Sequence, residues 1–458
     1  MSTSVKVAVI GLDCATPQLV FDRFRGNLPN LSRLMERGTW GRLQSCHPPI
    51  TVPAWTAMMS GYDPGQLGIY GFRNRKDYSY DGYMIANSSA VKVDRVWDVL
   101  SRAGKDVILV GVPQTYPVKP VNGYIVSDFL TPSTKSVYTH PAELRTEVER
   151  VAPGYVFDVE NFRTDDKSAL LERIYDKTRK HFAVAKNLIT TKPWDFFMMV
   201  EMGVDRIHHA FWSYMDPNHR KYTVGNPFEF AIRDYYSYVD REVGELLALI
   251  PENTIIVVVS DHGAKKLEGA VCLNEWLIRQ GYLVLKAYPD KPTSIDKLPV
   301  DWSRTTAWGD GGYYGRLFLN VRGREPNGLV DRGKYDEVLD ELRSGIEGIV
   351  PGTRAYRPRE LYREVNGVPP DLLVYFGGLD WRSLGSVGLG SILTFENDTG
   401  SDEANHAEFG IFIYADPQGR GVGEIDKIRI VDVGPTLLSR FGQPAPSGIV
   451  GEPRRFAG

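Results

Sequence analysis

The chain has 458 residues, 42% hydrophobic and 24% charged, which excludes intrinsic disorder and calls for a sizeable core. Its 54 basic and 57 acidic residues leave a formal charge of −3 with no long basic run, so no nucleic-acid polymer is expected as partner. Cys14, Cys46 and Cys272 are odd in number and far apart, which excludes a disulfide framework and fits a reducing, cytoplasmic setting.

In chain order, the apolar run VAVIGL (7–12) predicts a first β-strand rather than the core of a signal peptide. A helix follows around PNLSRLMERG and ends at Gly38. The stretch TVPAWTAMMSG predicts a second helix, with Thr51 at its N-cap, Pro53 in the first turn and Gly61 just past its end. VWDVLSRAGK then precedes the strand DVILVGV, and GYIVSDF makes the next strand. Residues 131–165 break the alternation with Pro, Gly and Tyr and are expected to form a lid or cap insertion.

From Asp165 to Ile189, Leu170, Leu171, Ile174, Phe182 and Ala185 recur at helical spacing, predicting a long helix that leads into the strand DFFMMVEM. NTIIVVVS is a further strand, followed by a second insertion over 266–315. GRLFLNV, PDLLVYF and FGIFIYA read as later strands, and VDVGPTLLSRFG as the closing helix. Strands apolar throughout and separated by helices indicate a largely parallel sheet with helices on both faces, in one α/β domain spanning 1–458. No stretch approaches the roughly 18 uncharged apolar residues of a membrane span, so no membrane is expected as partner.

Chemistry gathers just behind the strands. Asp13 follows VAVIGL, Asp205 with His208 and His209 follows DFFMMVEMGV, and Asp261 with His262 follows the run ending at Val259. In an open α/β sheet ligands bind beyond the carboxyl ends of the strands, where distant residues converge. Carboxylates and imidazoles suit a metal ion. In VDRIHHAFW, Asp205 and His209 are four apart and share a helix face, whereas His208 points elsewhere. His406, in the polar loop EANHAEFGIF, offers a further nitrogen.

SCHPPITVPAWTAMMSG holds the candidate nucleophile. Cys46 opens CHPPI, which has the proline of the sulfatase pattern Cys-x-Pro-x-Arg but Ile50 in place of its arginine, so the sulfatase reading fails. Thr56 falls inside the helix. Thr51 stands at the helix start, where free N–H groups and the positive end of the dipole favour a phosphate, and an ion or base would activate its hydroxyl.

In order, Asp13, the Thr51-Val-Pro helix start, VDRIHH, SDHG and NHAEFGIF resemble the alkaline phosphatase superfamily, nearest to its type I phosphodiesterase/nucleotide pyrophosphatase branch. GLDCATPQLV, NLPNLSRLMERGTWGRL, GIYGFR and GREPNG are similar to a group of predicted phosphohydrolases or phosphomutases. The resemblance implies an alkaline-phosphatase-like fold and two divalent metal ions, Zn2+ foremost and Mn2+ second. It implies Asp13, Asp261 and His262 as ligands of one ion, with Thr51 upon it, and Asp205, His209 and His406 as ligands of the other. Thr51 would attack phosphorus, and water would hydrolyse the phosphothreonine.

Members of the branch place an asparagine after the nucleophile helix to contact a phosphate oxygen. Here GIYGFRNR supplies Phe72, Arg73 and Asn74 as substrate-binding candidates. The expected substrate is a small organic phosphate ester, and a homo-oligomer is compatible with the sequence. A phosphomonoesterase, a phosphomutase or a silent metal-binding scaffold are the alternatives. Trp302, Trp308, Tyr313 and Tyr314 are candidates to stack on a base or sugar, and Arg316 to meet a second phosphate.

Overall fold

A computed structural model describes residues 5–419 and 421–456. Its centre is a nine-stranded sheet made of β1 (Lys6–Leu12), β2 (Thr39–Gln44), β3 (Val107–Val110), β4 (Gly123–Val126), β5 (Thr139–His140), β6 (Phe196–Glu201), β7 (Thr254–Val259), β8 (Phe409–Ala415) and β9 (Gly423–Arg429). The strand order is β9-β2-β8-β7-β1-β6-β3-β4-β5. Most pairs are parallel, but β8 runs antiparallel to both β7 and β2, and β5 to β4.

The central strands are apolar throughout because both faces are covered. Along β1, Ala8, Ile10 and Leu12 enter one core while Val7 and Val9 enter the other, as the two-residue period of a strand demands. The first core receives α1 (Pro29–Arg37), α4 (Lys167–Thr191), α5 (Gly203–Met215) and α6 (Ala231–Leu247). The second receives α2 (Thr51–Ser60), α3 (Val96–Arg102) and α7 (Val433–Arg440). All ten residues of α2 are buried, so this helix is a fixed platform. Among the described residues, no helix is long and apolar enough to cross a membrane.

The expected insertion over 266–315 is larger than its sequence boundaries. GRLFLNV and PDLLVYF do not extend the central sheet. They contribute Gly315–Leu319 and Leu372–Tyr375 to a separate antiparallel sheet with Ala307–Asp310 and Arg354–Tyr356. Helices Leu273–Arg279 and Tyr335–Glu347 pack on it around Trp276, Trp308, Leu317 and Leu342, a core separate from the other two. This cap runs from strand Gly269–Cys272 to Leu393–Thr394, which pair with each other. An apolar run of four or five residues announces a buried strand but not the sheet it joins. A ribbon of Gly263–Lys266 antiparallel to Ala404–Ala407 forms the neck between cap and central sheet.

Candidate metal centre and substrate cavity

Topology brings the chemistry to one end of the sheet. β7, β1 and β6 are adjacent and parallel, so Asp261, Asp13 and Asp205 emerge side by side from their carboxyl ends. Because β8 is antiparallel to β7, the start of β8 lies at that same end, and the ribbon sets His406 opposite Ala264, two residues beyond His262. The rings of His262 and His406 stack at 3.8 Å. β2 ends beside Phe409, and the chain then turns through Ser45–Ile50 into α2.

Thr51 is the first residue of α2, and Ile50, in extended conformation, is the N-cap. The sequence placed Thr51 one position earlier, as the cap. Its hydroxyl makes no capping bond and lies 3.4 Å from His262 Nε2, almost fully buried. Gly61 closes the helix with a left-handed φ of 80°, as expected of a glycine past a helix end. Thr56 is spent in a hydrogen bond to Gln114, and the Cys46 thiol bonds the Pro48 carbonyl at 3.3 Å. All three cysteines are free and buried.

Two clusters of ligand-type atoms adjoin here. In the first, Asp13, Asp261 and His262 offer atoms all within 4.8 Å of one another. In the second, His209 Nε2 is 3.2 Å from Asp205 Oδ1 and 3.3 Å from His406 Nε2, which is 3.7 Å from the same carboxylate oxygen. His262 also lies within 4.8 Å of Asp205 and His406, so the clusters are contiguous. His208 turns away and bonds the Tyr236 hydroxyl at 3.0 Å.

Neighbouring groups hold each of these side chains. Trp55, four residues after Thr51 in α2, donates its indole N–H to Asp13 Oδ2 at 2.7 Å. Gly11 makes room for that indole, because a Cβ there would lie 2.6 Å from the ring. The Cys14 amide donates to Asp261 Oδ1 at 3.2 Å, from a residue in the left-handed region at φ 65°. Arg206 bonds Asp205 Oδ2 at 2.5 Å and is itself gripped by Asp158. Asp402 Oδ1 pairs with His209 Nδ1 at 2.7 Å, and Pro49 carbonyl with His406 Nδ1 at 2.8 Å, which directs both Nε2 atoms inward.

What remains is a set of unmet atoms. Asp13 Oδ1, Asp205 Oδ1 and Asp261 Oδ2 are buried and accept no hydrogen bond. Burial, with the charge of Asp205 adding to it, pushes Asp13 well above the usual carboxylate range. Asp261 is raised by burial and by Asp13. Burial lowers the His262 pKa to about 4 and also holds His406 well below its ordinary value, so both imidazoles are neutral at pH 7. Against burial, His209 and Arg206 hold Asp205 well below its ordinary value. Buried carboxylate oxygens without donors, facing imidazole Nε2 atoms, are a donor set that suits divalent cations. The residues present fit two such ions.

A cavity of about 320 Å³ opens over this centre, bordered by Thr51, Asp205 and His406. Phe72 and Arg73 line it, as do Tyr313, Tyr314 and Arg316 from the cap. Asn74 does not. Its amide oxygen accepts from the Tyr70 N–H and its amide nitrogen donates to the Gly71 carbonyl, so it locks the turn that presents Phe72. Trp302 and Trp308 border a neighbouring cavity instead.

Sequence reasoning missed Arg163, Arg206, Arg382, Asp402 and Trp55. Arg163 and Arg382 flank Asp402 at 3.2 and 2.9 Å and line the cavity. Asp402 stands four residues before His406 in the same polar loop, and Trp55 one helical turn after Thr51. Those spacings were the available signals.

The family model described as type I phosphodiesterase / nucleotide pyrophosphatase matches residues 7–402. Among solved structures, human ectonucleotide pyrophosphatase/phosphodiesterase 5 is similar with 13% identity and a TM-score of 0.57, over 99% of this chain and 97% of that one. The murine protein, solved alone and as an inactive form in complex with AMP, gives 14% identity and a TM-score of 0.58 over the same shares. A search of curated proteins gave no match.

Proposed function

The chain belongs to the type I phosphodiesterase/nucleotide pyrophosphatase family, whose members are metal-dependent hydrolases of phosphoric esters, and from that premise we propose a nucleophilic, two-metal mechanism centred on Thr51. The observation that carries this reading is the set of three donorless carboxylate oxygens facing imidazole Nε2 atoms, with the Thr51 hydroxyl 3.4 Å from one of them. Asp13, Asp261 and His262 would hold one ion, and Asp205, His209 and His406 the other, with Zn2+ the first candidate and Mn2+ the second. When bound, the ions would lower the pKa of the Thr51 hydroxyl and offset charge on the phosphoryl oxygens.

The chain's own residues do the rest. Thr51 Oγ1 attacks phosphorus, an ester oxygen leaves with its organic group, and a phosphothreonine forms. Water then attacks the same phosphorus, restoring the Thr51 hydroxyl and releasing the phosphate product. Buried α2 keeps the hydroxyl from swinging away, and the positive end of its dipole lies at Thr51, where an incoming anion would be favoured. Phe72, Tyr313 and Tyr314 narrow the cavity, while Arg73, Arg163 and Arg382 surround it with positive charge.

Those arginines also favour a second reading, a phosphomonoesterase, since a terminal phosphate carries one more negative charge than a diester. The ratio of kcat/KM for a nitrophenyl diester over the matching monoester, on zinc-loaded protein with Thr51→Ala as control, separates the two. A ratio well above one that Thr51→Ala abolishes supports the diesterase. A ratio well below one selects the monoesterase. The AMP held by inactive murine ENPP5 makes nucleotide esters the first natural compounds to assay.

A further inference from the structure

A second cavity of about 290 Å³ adjoins the first. The hairpin of Arg73–Arg75 and Tyr83–Ile85 gives it Arg73, Asp81 and Tyr83, and the cap gives it Asp296, Trp302 and Asp310. Arg73 borders both cavities. Arg316, on the wall of the first, pairs with Asp310 of the second at 2.5 Å and donates to the Arg73 carbonyl at 2.5 Å. The two compartments therefore meet at Arg73.

Their chemistry differs. Asp81, Asp296 and Asp310 accept hydrogen bonds and offer none when ionised, so a second phosphate is repelled here. Asp310 is engaged by Arg316, whereas Asp81 and Asp296 are exposed and make no ion pair among the described residues. The rings do not form a slot. Tyr80 and Trp302 lie face to face at 3.7 Å and 3°, so each has one face already covered. Arg73 lies over Tyr83 at 5.2 Å, and buried Trp308 meets Tyr80 and Trp302 edge-on. A planar base has no pair of rings to enter between, and an ammonium group has no cage of open faces.

One apolar platform beside free carboxylate acceptors suits a carbon skeleton with hydroxyls at its rim. Its C–H face rests on a ring and its O–H groups donate to the carboxylates. We infer that the second cavity binds a polyhydroxylated, sugar-like part of the substrate, esterified to the phosphate handled at Thr51. This rests on the phosphohydrolase reading above.

Zinc-loaded Thr51→Ala protein, full length, is titrated calorimetrically with glucose 6-phosphate, methyl phosphate and phosphocholine. Glucose 6-phosphate is expected to bind about tenfold tighter than methyl phosphate. That ratio falls toward one when Trp302→Ala is added, and also with the double change Asp81→Asn and Asp296→Asn, which alters only exposed side chains and preserves the fold. Equal affinity for the two phosphates overturns the assignment, as does tighter binding of phosphocholine or a sugar preference that survives both variants. Nitrophenyl ester turnover is read on the unsubstituted, zinc-loaded chain: its absence there, with the affinity ratio intact in Thr51→Ala, overturns the hydrolase reading alone. Normal turnover with a ratio of one overturns the sugar subsite alone.

Discussion

The Thr51 hydroxyl is the one atom on which the proposed chemistry depends. Thr51→Ala is expected to lower kcat by about 10³-fold or more while zinc content, measured by elemental analysis, stays at two ions per chain. Loss of both would reduce Thr51 to a structural residue. Asp402 is proposed as a positioning residue, since it meets the cluster through His209 Nδ1 and the cavity wall through Arg163 and Arg382. Asp402→Asn is expected to weaken metal affinity by about 10- to 100-fold, read by competition with a chelator. A purely structural Asp402 would shift the melting temperature and leave the metal affinity alone. The convergence of Asp13, Asp205, His209, Asp261 and His262 was legible in the sequence because each comes just after a strand of the central sheet. The partners behind them were not, because a donor such as Trp55 or Arg382 is defined by direction, and residue type carries no direction.

The elements show why the site is held so firmly. Behind the end of β6, Glu201 accepts from Lys177 at 2.9 Å, from Thr178 at 3.0 Å and from the Gly203 amide at 2.8 Å, and pairs with His181 at 2.7 Å. This ties α4 to the strand that delivers Asp205. Against burial, Lys177 and His181 hold the Glu201 pKa down to about 2, below its ordinary 4.5. The folded chain then binds fewer protons here than the unfolded chain. The stabilisation, about 3 kcal/mol, is complete above pH 4.5 and drains away as pH falls toward 2. Denaturant titrations at pH 6 and pH 3 are expected to show this loss, and Glu201→Gln to flatten the pH dependence. An unchanged slope in the variant would place the acid sensitivity elsewhere. Strand and helix positions were readable from periodicity, as in β1 and α4. Thr51 fell one residue from its expected place because a threonine before a proline-containing turn reads equally well as cap or first helical residue.

At the scale of the whole molecule, Asp13, Asp205 and Asp261 are packed beside one another out of water, each with an oxygen that has no hydrogen-bond partner among the described residues. Divalent ions bind only the folded arrangement and should stabilise it by mass action, about 2.7 kcal/mol at a hundredfold excess over Kd. A chelator is expected to lower the melting temperature, and zinc or manganese to restore it while magnesium restores less. No change on chelation would mean the centre holds no ion. The sheet and its two helical layers followed from apolar strands alternating with helices. The cap's extent did not, because its strands carry the same signature as those of the central sheet, and only long-range pairing separates them.

The neck ribbon threads the cap between two residues of the proposed metal centre, His262 just before it and His406 on its returning strand. The chain leaves the centre, builds a separate body of more than a hundred residues, and comes back to place His406 beside His262. That makes the cap a cassette. Exchanging it for another body, with the two strands of the neck kept in register, is expected to change the preference for one ester over another, measured as the diester-to-monoester ratio of kcat/KM in the chimera. The proposed centre and the cap's share of the cavity wall thus belong to separate packing units of one continuous chain.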